Sequence, residues 1–226
     1  MGFTIGIRER RSGSRRRGRP HVCTTVAEYT GLWGWDVVPG ARSAADGCSC
    51  GDALCPSPGD HPLGSATEVP AGATLDEVTR AWADAPDAPV LLPVGRAFDI
   101  LDVAEPAGRR ALMRLERMGL PLGPVAATPA GRAQFFVAAG AATELPGLLY
   151  RMGWDDAGLD LRALGPGDHI TAPPSDLGGL GPVRWLRPPT LDTAGAPPRA
   201  RLLLGTLAYI CHRSRPPLSE FTRPGV

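Results

Sequence analysis

The chain contains no lysine, and all 24 basic side chains among its 226 residues are arginine. That absence excludes a lysine nucleophile and Schiff-base chemistry, and with them a ligase-like mechanism. No stretch approaches the roughly 20 apolar residues that a membrane-spanning helix requires. The arginine-rich start lacks the apolar segment of a secretory signal, so a cytoplasmic location with no membrane partner is expected. Only five cysteines are present, and in a reducing compartment the fold is expected to stand without disulfides. No internal repeat is visible.

What is present is ordinary for a globule. A 43% hydrophobic and 21% charged composition suits one sizeable core or two small domains. The 29 glycines and 25 prolines are spread along the chain and predict many loops and tight turns. The net charge of +1 hides an asymmetry: Arg8, Arg10, Arg11, Arg15, Arg16, Arg17 and Arg19 face only Glu9 in the first twenty residues. That segment, residues 1–20, carries +6 and reads as a disordered leader, and any phosphate binding by it would be strongly salt-dependent. The remaining body carries −5 and does not advertise the basic face usual in proteins that track nucleic acid.

Hydrophobic periodicity predicts a helix over 24–34 followed by a strand over 35–39, then a loop of some twenty residues. Thr74 with Glu77 three positions on is a capping box that opens a helix through Val78 and Trp82. Strands are predicted over 89–94 and 98–103. A helix over 105–118 sets Leu112, Met113, Leu115 and Met118 against Arg109, Arg110, Arg114 and Arg117, with Gly119 as its stop. Strands at 124–128 and 133–137 pair across a turn, and others follow at 159–164, 169–172 and 183–186. Residues 188–199 read as a linker before a helix over 201–213. The mixture predicts an α+β fold, a mixed sheet with flanking helices, in a domain over 21–190 followed by linker and C-terminal helix over 191–226.

The strand around Asp102 carries the chemistry. Alternation places Ile100, Asp102 and Ala104 on one face, and Asp99, Leu101 and Val103 on the other. An acid at 104 would complete an Asp-x-Asp pair for two cations, and alanine cannot hold one. Asp99 and Glu105 point to the opposite face and read as solvated charges at the strand's ends. Elsewhere, Cys48, Cys50, Cys55 and His61 bring four potential ligands within fourteen residues. Three thiolates and an imidazole suit a closed, structural zinc site with no open position for water, the alternative being a reduced thiol loop. Cys23 and Cys211 stand apart and read as buried apolar residues. The five tryptophans are dispersed and read mostly as core.

The order of several motifs carries a resemblance. Gly34-Trp35-Asp36-Val37-Val38-Pro39, the cysteine cluster with His61-Pro62, Leu101-Asp102-Val103, Thr128-Pro129-Ala130-Gly131-Arg132, Leu159-Asp160 and Thr171-Ala172-Pro173-Pro174-Ser175 follow one another. In this order they resemble the bifunctional DNA primase/polymerase domain of the archaeo-eukaryotic primase superfamily, over roughly residues 25–190. The resemblance implies a primase/polymerase-like α+β fold with a small Cys/His loop insertion. It assigns Asp102 and Asp160 to divalent-cation binding, Mg or Mn, and places Arg132, His169 and Ser175 around the nucleotide. It also implies nucleotide or DNA as partners. With no helicase following, unwinding and primer handoff would fall to replication or mobile-element proteins. This chain departs from the family at two places: Ala104 replaces the second acid, and Gly131-Arg132 is followed by Ala133-Gln134 where the family has histidine. Arg162 is expected to pair with Asp160. Three readings follow: a domain with lost or impaired nucleotidyl transfer, a working polymerase with an unusual third ligand, and a zinc-stabilised regulatory module.

Overall fold

A computed structural model of the protein describes residues 24–44, 47–155 and 157–214. The arginine-rich leader and Cys23 lie outside the described residues. The opening helix, α1, is π-helical over Glu28–Leu32. It leads to β1 (Val38–Pro39), a small hairpin of β2 (Ser43–Ala44) and β3 (Gly47–Cys48), then α2 (Leu75–Ala81). The Thr74–Glu77 capping box forms as the sequence predicts, with both reciprocal bonds made. Then come β4 (Val90–Pro93), β5 (Asp99–Ala104), α3 (Glu105–Arg117), β6 (Val125–Ala127) and β7 (Arg132–Val137). The chain continues through α4 (Ala141–Arg151), β8 (Leu161–Leu164), β9 (His169–Thr171), β10 (Arg184–Arg187), α5 (Leu191–Gly195) and α6 (Arg201–Arg213).

Five strands form the main sheet in the order β10-β6-β7-β5-β8, and β1-β4-β9 form a second. The fold is α+β. Every strand pair among the described residues is antiparallel. Antiparallel neighbours need only a tight return, as between β6 and β7, where Thr128 N donates to Arg132 O at 2.9 Å and Gly131 takes φ +76°.

Strand β5 is buried on both faces, and its alternation divides two cores. Ile100 joins Ala126 and Phe136 in one, with Trp35 and Phe98 packed against Phe136 at ring distances of 5.3 and 4.5 Å. Leu101 and Val103 join Phe135, Val137 and the apolar stripes of α3, α4 and α6 in the other. On α3 the buried set is Ala107, Gly108, Ala111, Leu112 and Leu115, while Met113 and Met118 are exposed, against expectation. They lie outside the stripe that the 3.6-residue period turns toward the sheet. Gly108 is where α3 meets β7, and a Cβ there would stand 2.4 Å from the Ala133 Cβ and 3.2 Å from Val103 Cγ2. Gly108→Ala should therefore destabilise the fold by about 1–3 kcal/mol through overpacking, despite alanine's better helix propensity. A urea midpoint equal to or above wild type would refute that packing.

Two parts of the fold differ from the sequence reading. Helix α4 was not predicted, since Gly140, Pro146 and Gly147 punctuate it; it forms because Ala141, Leu145 and Leu148 share one buried face and because Asp99 Oδ2 accepts from Ala142 N at 2.8 Å. Asp99 is thus no solvated charge but fully buried at a helix N-terminus, where a carboxylate is favoured. Glu105 is likewise held, accepting from Arg109 Nε at 2.8 Å and Arg184 Nη2 at 2.5 Å. The stretch 188–199 is strapped to the body: Trp35 Nε1 donates to Ala194 O at 3.2 Å, and Ala138 N to Pro198 O at 2.8 Å.

Candidate active site and metal centre

Register assembles the first cluster. Asp102 lies opposite Gln134 of β7 and opposite Arg162 of β8, while Ala104 lies opposite Arg132. Directly paired residues share a sheet face, so Asp102, Gln134, Arg132 and Arg162 converge. Asp102 is fully buried. Its Oδ1 accepts from Arg132 Nε at 2.7 Å and Arg162 Nε at 3.0 Å, and its Oδ2 from Gln134 Nε2 at 3.5 Å. Arg132 extends its other arm to Asp160, with Nη1 to Oδ2 at 2.8 Å. Burial works against the Arg132 charge, and the bonds to Asp160 and Asp102 outweigh it, raising its pKa.

The expected Arg162–Asp160 pair is corrected. Asp160 precedes β8, whose ladder sets Arg162 directly across from Asp102, so Arg162 bonds Asp102 while Asp160 bonds Arg132. Sequence reading also missed Gln134, whose Oε1 is buried without a hydrogen-bond partner. Its position two residues after Arg132, on the same face as Asp102, was the available signal.

His169 and Ser175 lie elsewhere. His169 starts β9 opposite Pro93 in the second sheet; its burial lowers its pKa against the pull of Glu68 and Asp168. Ser175 Oγ accepts from Val90 N at 2.9 Å, at the first residue of β4. Neither has a contact with the Asp102 group.

The second cluster sits on the loop after β2. The β2–β3 hairpin pairs Ser43 with Cys48, and Ala41 N donates to His61 O at 2.8 Å, so both ends of the loop are held together. The ligand atoms of Cys48, Cys50, Cys55 and His61 all lie within 4.8 Å of one another. Cys48 Sγ and Cys55 Sγ each stand 3.3 Å from His61 Nε2, close to the edge of roughly 3.5 Å expected between ligands around tetrahedral zinc. His61 Nδ1 lies 2.7 Å from the Pro62 carbonyl. A carbonyl only accepts, so Nδ1 carries the proton and Nε2 presents its lone pair toward the thiols, the orienting bond typical of ligating histidines. The Cys48 thiol is pulled down to about 6, first by the Cys50 backbone N–H. Burial pushes the Cys55 thiol up. This donor set can hold a metal ion. Cys211 is buried within the helical core, where burial pushes its thiol up to about 11.

The clusters adjoin. Asp60, next to His61, accepts from Thr171 Oγ1 at 3.4 Å and lies within electrostatic reach of Arg162.

The family model of the bifunctional DNA primase/polymerase N-terminal domain matches residues 26–199. The chain belongs to this family. Comparison with curated proteins and with solved structures gives no match. The matched primase/polymerase region contains the whole main sheet, the Asp102 group and the Cys/His loop; α6 lies beyond it. Within this primase/polymerase domain, the positions carrying the resemblance, Asp102, Ala104, Arg132 and Asp160, meet around one end of β5 although up to 58 positions separate them in sequence. Among the described residues no helix is long and apolar enough to cross a membrane.

Proposed function

We propose that this chain is a DNA primase/polymerase-like domain in which nucleotidyl transfer is lost or impaired and a nucleotide- or nucleic-acid-binding or scaffolding role is retained. The observation that carries this reading is the engagement of Asp102 Oδ1 by two guanidinium groups. Clamping the attacking and leaving oxygens of phosphoryl transfer takes two cations about 4 Å apart, bridged by carboxylates. Here Ala104 offers no oxygen, Asp102 is neutralised by arginine, and Asp160 is tied to Arg132. These residues do not fit a pair of Mg or Mn ions. What they offer is guanidinium: Arg132 and Arg162 each keep N–H groups beyond those bonded to the carboxylates, in the fork geometry that suits phosphate.

The Cys48, Cys50, Cys55 and His61 set supports structural zinc, since three thiolates and one imidazole close a tetrahedron. Free thiols in that arrangement suit a reducing cytoplasm, and replication or mobile-element proteins are the partners such a domain would serve.

Primer extension tests the reading. With a labelled primer on a template and either manganese or magnesium, the folded protein should add no nucleotides. Extension that Asp102→Ala abolishes would overturn it and establish a working polymerase with another ligand set.

A further inference from the structure

A cavity of about 920 Å³ opens between α1 and β10, with Glu28, Tyr29, Trp33, Pro174, Arg184 and Trp185 in its wall. That volume lies within the range of small-molecule sites. Two half-buried indoles and a tyrosine stand in the wall beside five prolines, and the rings are held in place. Trp185 packs on Phe136 at a ring distance of 5.6 Å, and the Tyr29 hydroxyl donates to Pro173 O at 2.5 Å. Pre-set aromatic surfaces bind flat rings with little ordering cost.

The groove and the Asp102 group lie on one row of the main sheet, with the buried Ala126 and Gln134 between them. Across the main sheet, Trp185 pairs with Ala126, Ala126 with Gln134, Gln134 with Asp102, and Asp102 with Arg162. This row lies on one face, and three strand spacings put Trp185 about 14 Å from Asp102. The rim carries charge of the sign that phosphate requires. Arg184 is fixed by Glu105 at 2.5 Å yet 53% exposed, leaving N–H groups free toward solvent. Glu105 N in turn donates to Gly131 O at 2.7 Å, in the turn that presents Arg132. Arg184 pairs with Ala127, on the sheet face opposite to the row of Trp185, Asp102 and Arg162, and stands in the wall of the groove at the strand's edge. At the other side, the Glu28 carboxylate offers an acceptor to a ring amino group.

We propose that this groove takes one base of a single-stranded nucleic acid, stacked on Trp33 and Trp185, with Arg184 facing the adjoining phosphate. The proposal rests on the nucleic-acid-binding reading above and adds where the strand sits. Every base has a face to stack, so binding is broad, but Glu28 favours bases with an exocyclic amine, cytosine over thymine. A proline-rich peptide also docks on aromatic grooves; the exposed Arg184 guanidinium in the wall favours the nucleic acid.

The test is fluorescence anisotropy of labelled oligo-dC and oligo-dT ten-mers with the full chain at low salt. Trp33→Ala should weaken oligo-dC binding about tenfold, the scale of one lost base stack, with Trp33→Phe recovering most of it. Arg184→Gln should also weaken binding, and Glu28→Gln should narrow the preference for dC over dT. Unchanged affinity in Trp33→Ala and Arg184→Gln, with loss in Arg132→Gln, would overturn the groove while leaving the Asp102-group reading intact. Absence of binding by the wild-type protein to either oligomer would remove both. Binding of a labelled decaproline peptide, lost in Trp33→Ala, without oligonucleotide binding would assign the groove to peptide instead.

Discussion

Asp102→Asn should lower stability by about 3 kcal/mol, the scale expected when one member of a buried ion pair is removed. The carboxylate is fully buried, and asparagine keeps its shape while removing the charge that holds two guanidinium groups. Arg162, 64% exposed, can swing into water, but Arg132 is only 22% exposed and its charge would stay partly buried with Asp160 alone. Asp160→Asn should cost under about 1 kcal/mol, because that carboxylate is 58% exposed and water replaces its partner. Urea unfolding reads both, with the midpoint shifting and the slope unchanged. Equal effects of the two substitutions would show that Asp102 is not the anchor of the group. A coupling between Asp102→Asn and Arg132→Gln in a double-mutant cycle should account for most of the Asp102 effect.

The second large effect is expected of the metal ion proposed for the Cys/His loop, taken as zinc. At about a thousand times its dissociation constant, a bound ion stabilises by about 4 kcal/mol. In a chain of this size that moves Tm by roughly 10 °C. Cys55→Ser, or dialysis against a strong chelator, should therefore remove one zinc per chain by elemental analysis and lower Tm by that order. In the metal-free protein the expected pH course follows from Cys48, whose thiol is pulled below its ordinary value to about 6. A lowered thiol pKa favours the thiolate, so its contribution is fully present above the unfolded value and is lost as pH falls through about 6. In the metal-free protein, Cys48 should then be the first thiol alkylated by iodoacetamide at pH 7, and added zinc should protect it. Uniform labelling of the three loop cysteines with and without zinc would refute the site.

Much of this was legible in local pattern. The alternation of residues 99–104 placed Asp102 and Ala104 on one face; the Thr74–Glu77 capping box and the helix after Glu105 formed where their signals lay. The Cys/His cluster was visible because its four members fall within fourteen residues, so the chain's own connectivity brings them together. Such features depend on periods of two or 3.6 residues and on short loops, which a single sequence displays directly.

Other features depended on pairing across long separations. Whether Arg162 neutralises Asp160 or Asp102 turns on strand register, and a ladder that sets residues 102 and 162 face to face decides it. Helix α4 is punctuated by glycine and proline in sequence and is held by a carboxylate 43 positions upstream. The orphan carbonyl of Gln134, the burial of Asp99 and the meeting of Trp33 with Trp185 likewise have no local signature. The sequence alone determined which chemical groups this protein has and the family to which it belongs. Only the tertiary structure decided that arginine sits against Asp102, the acid that remains of the Asp-x-Asp pair, because charge pairing inside a sheet is set by which strands lie side by side.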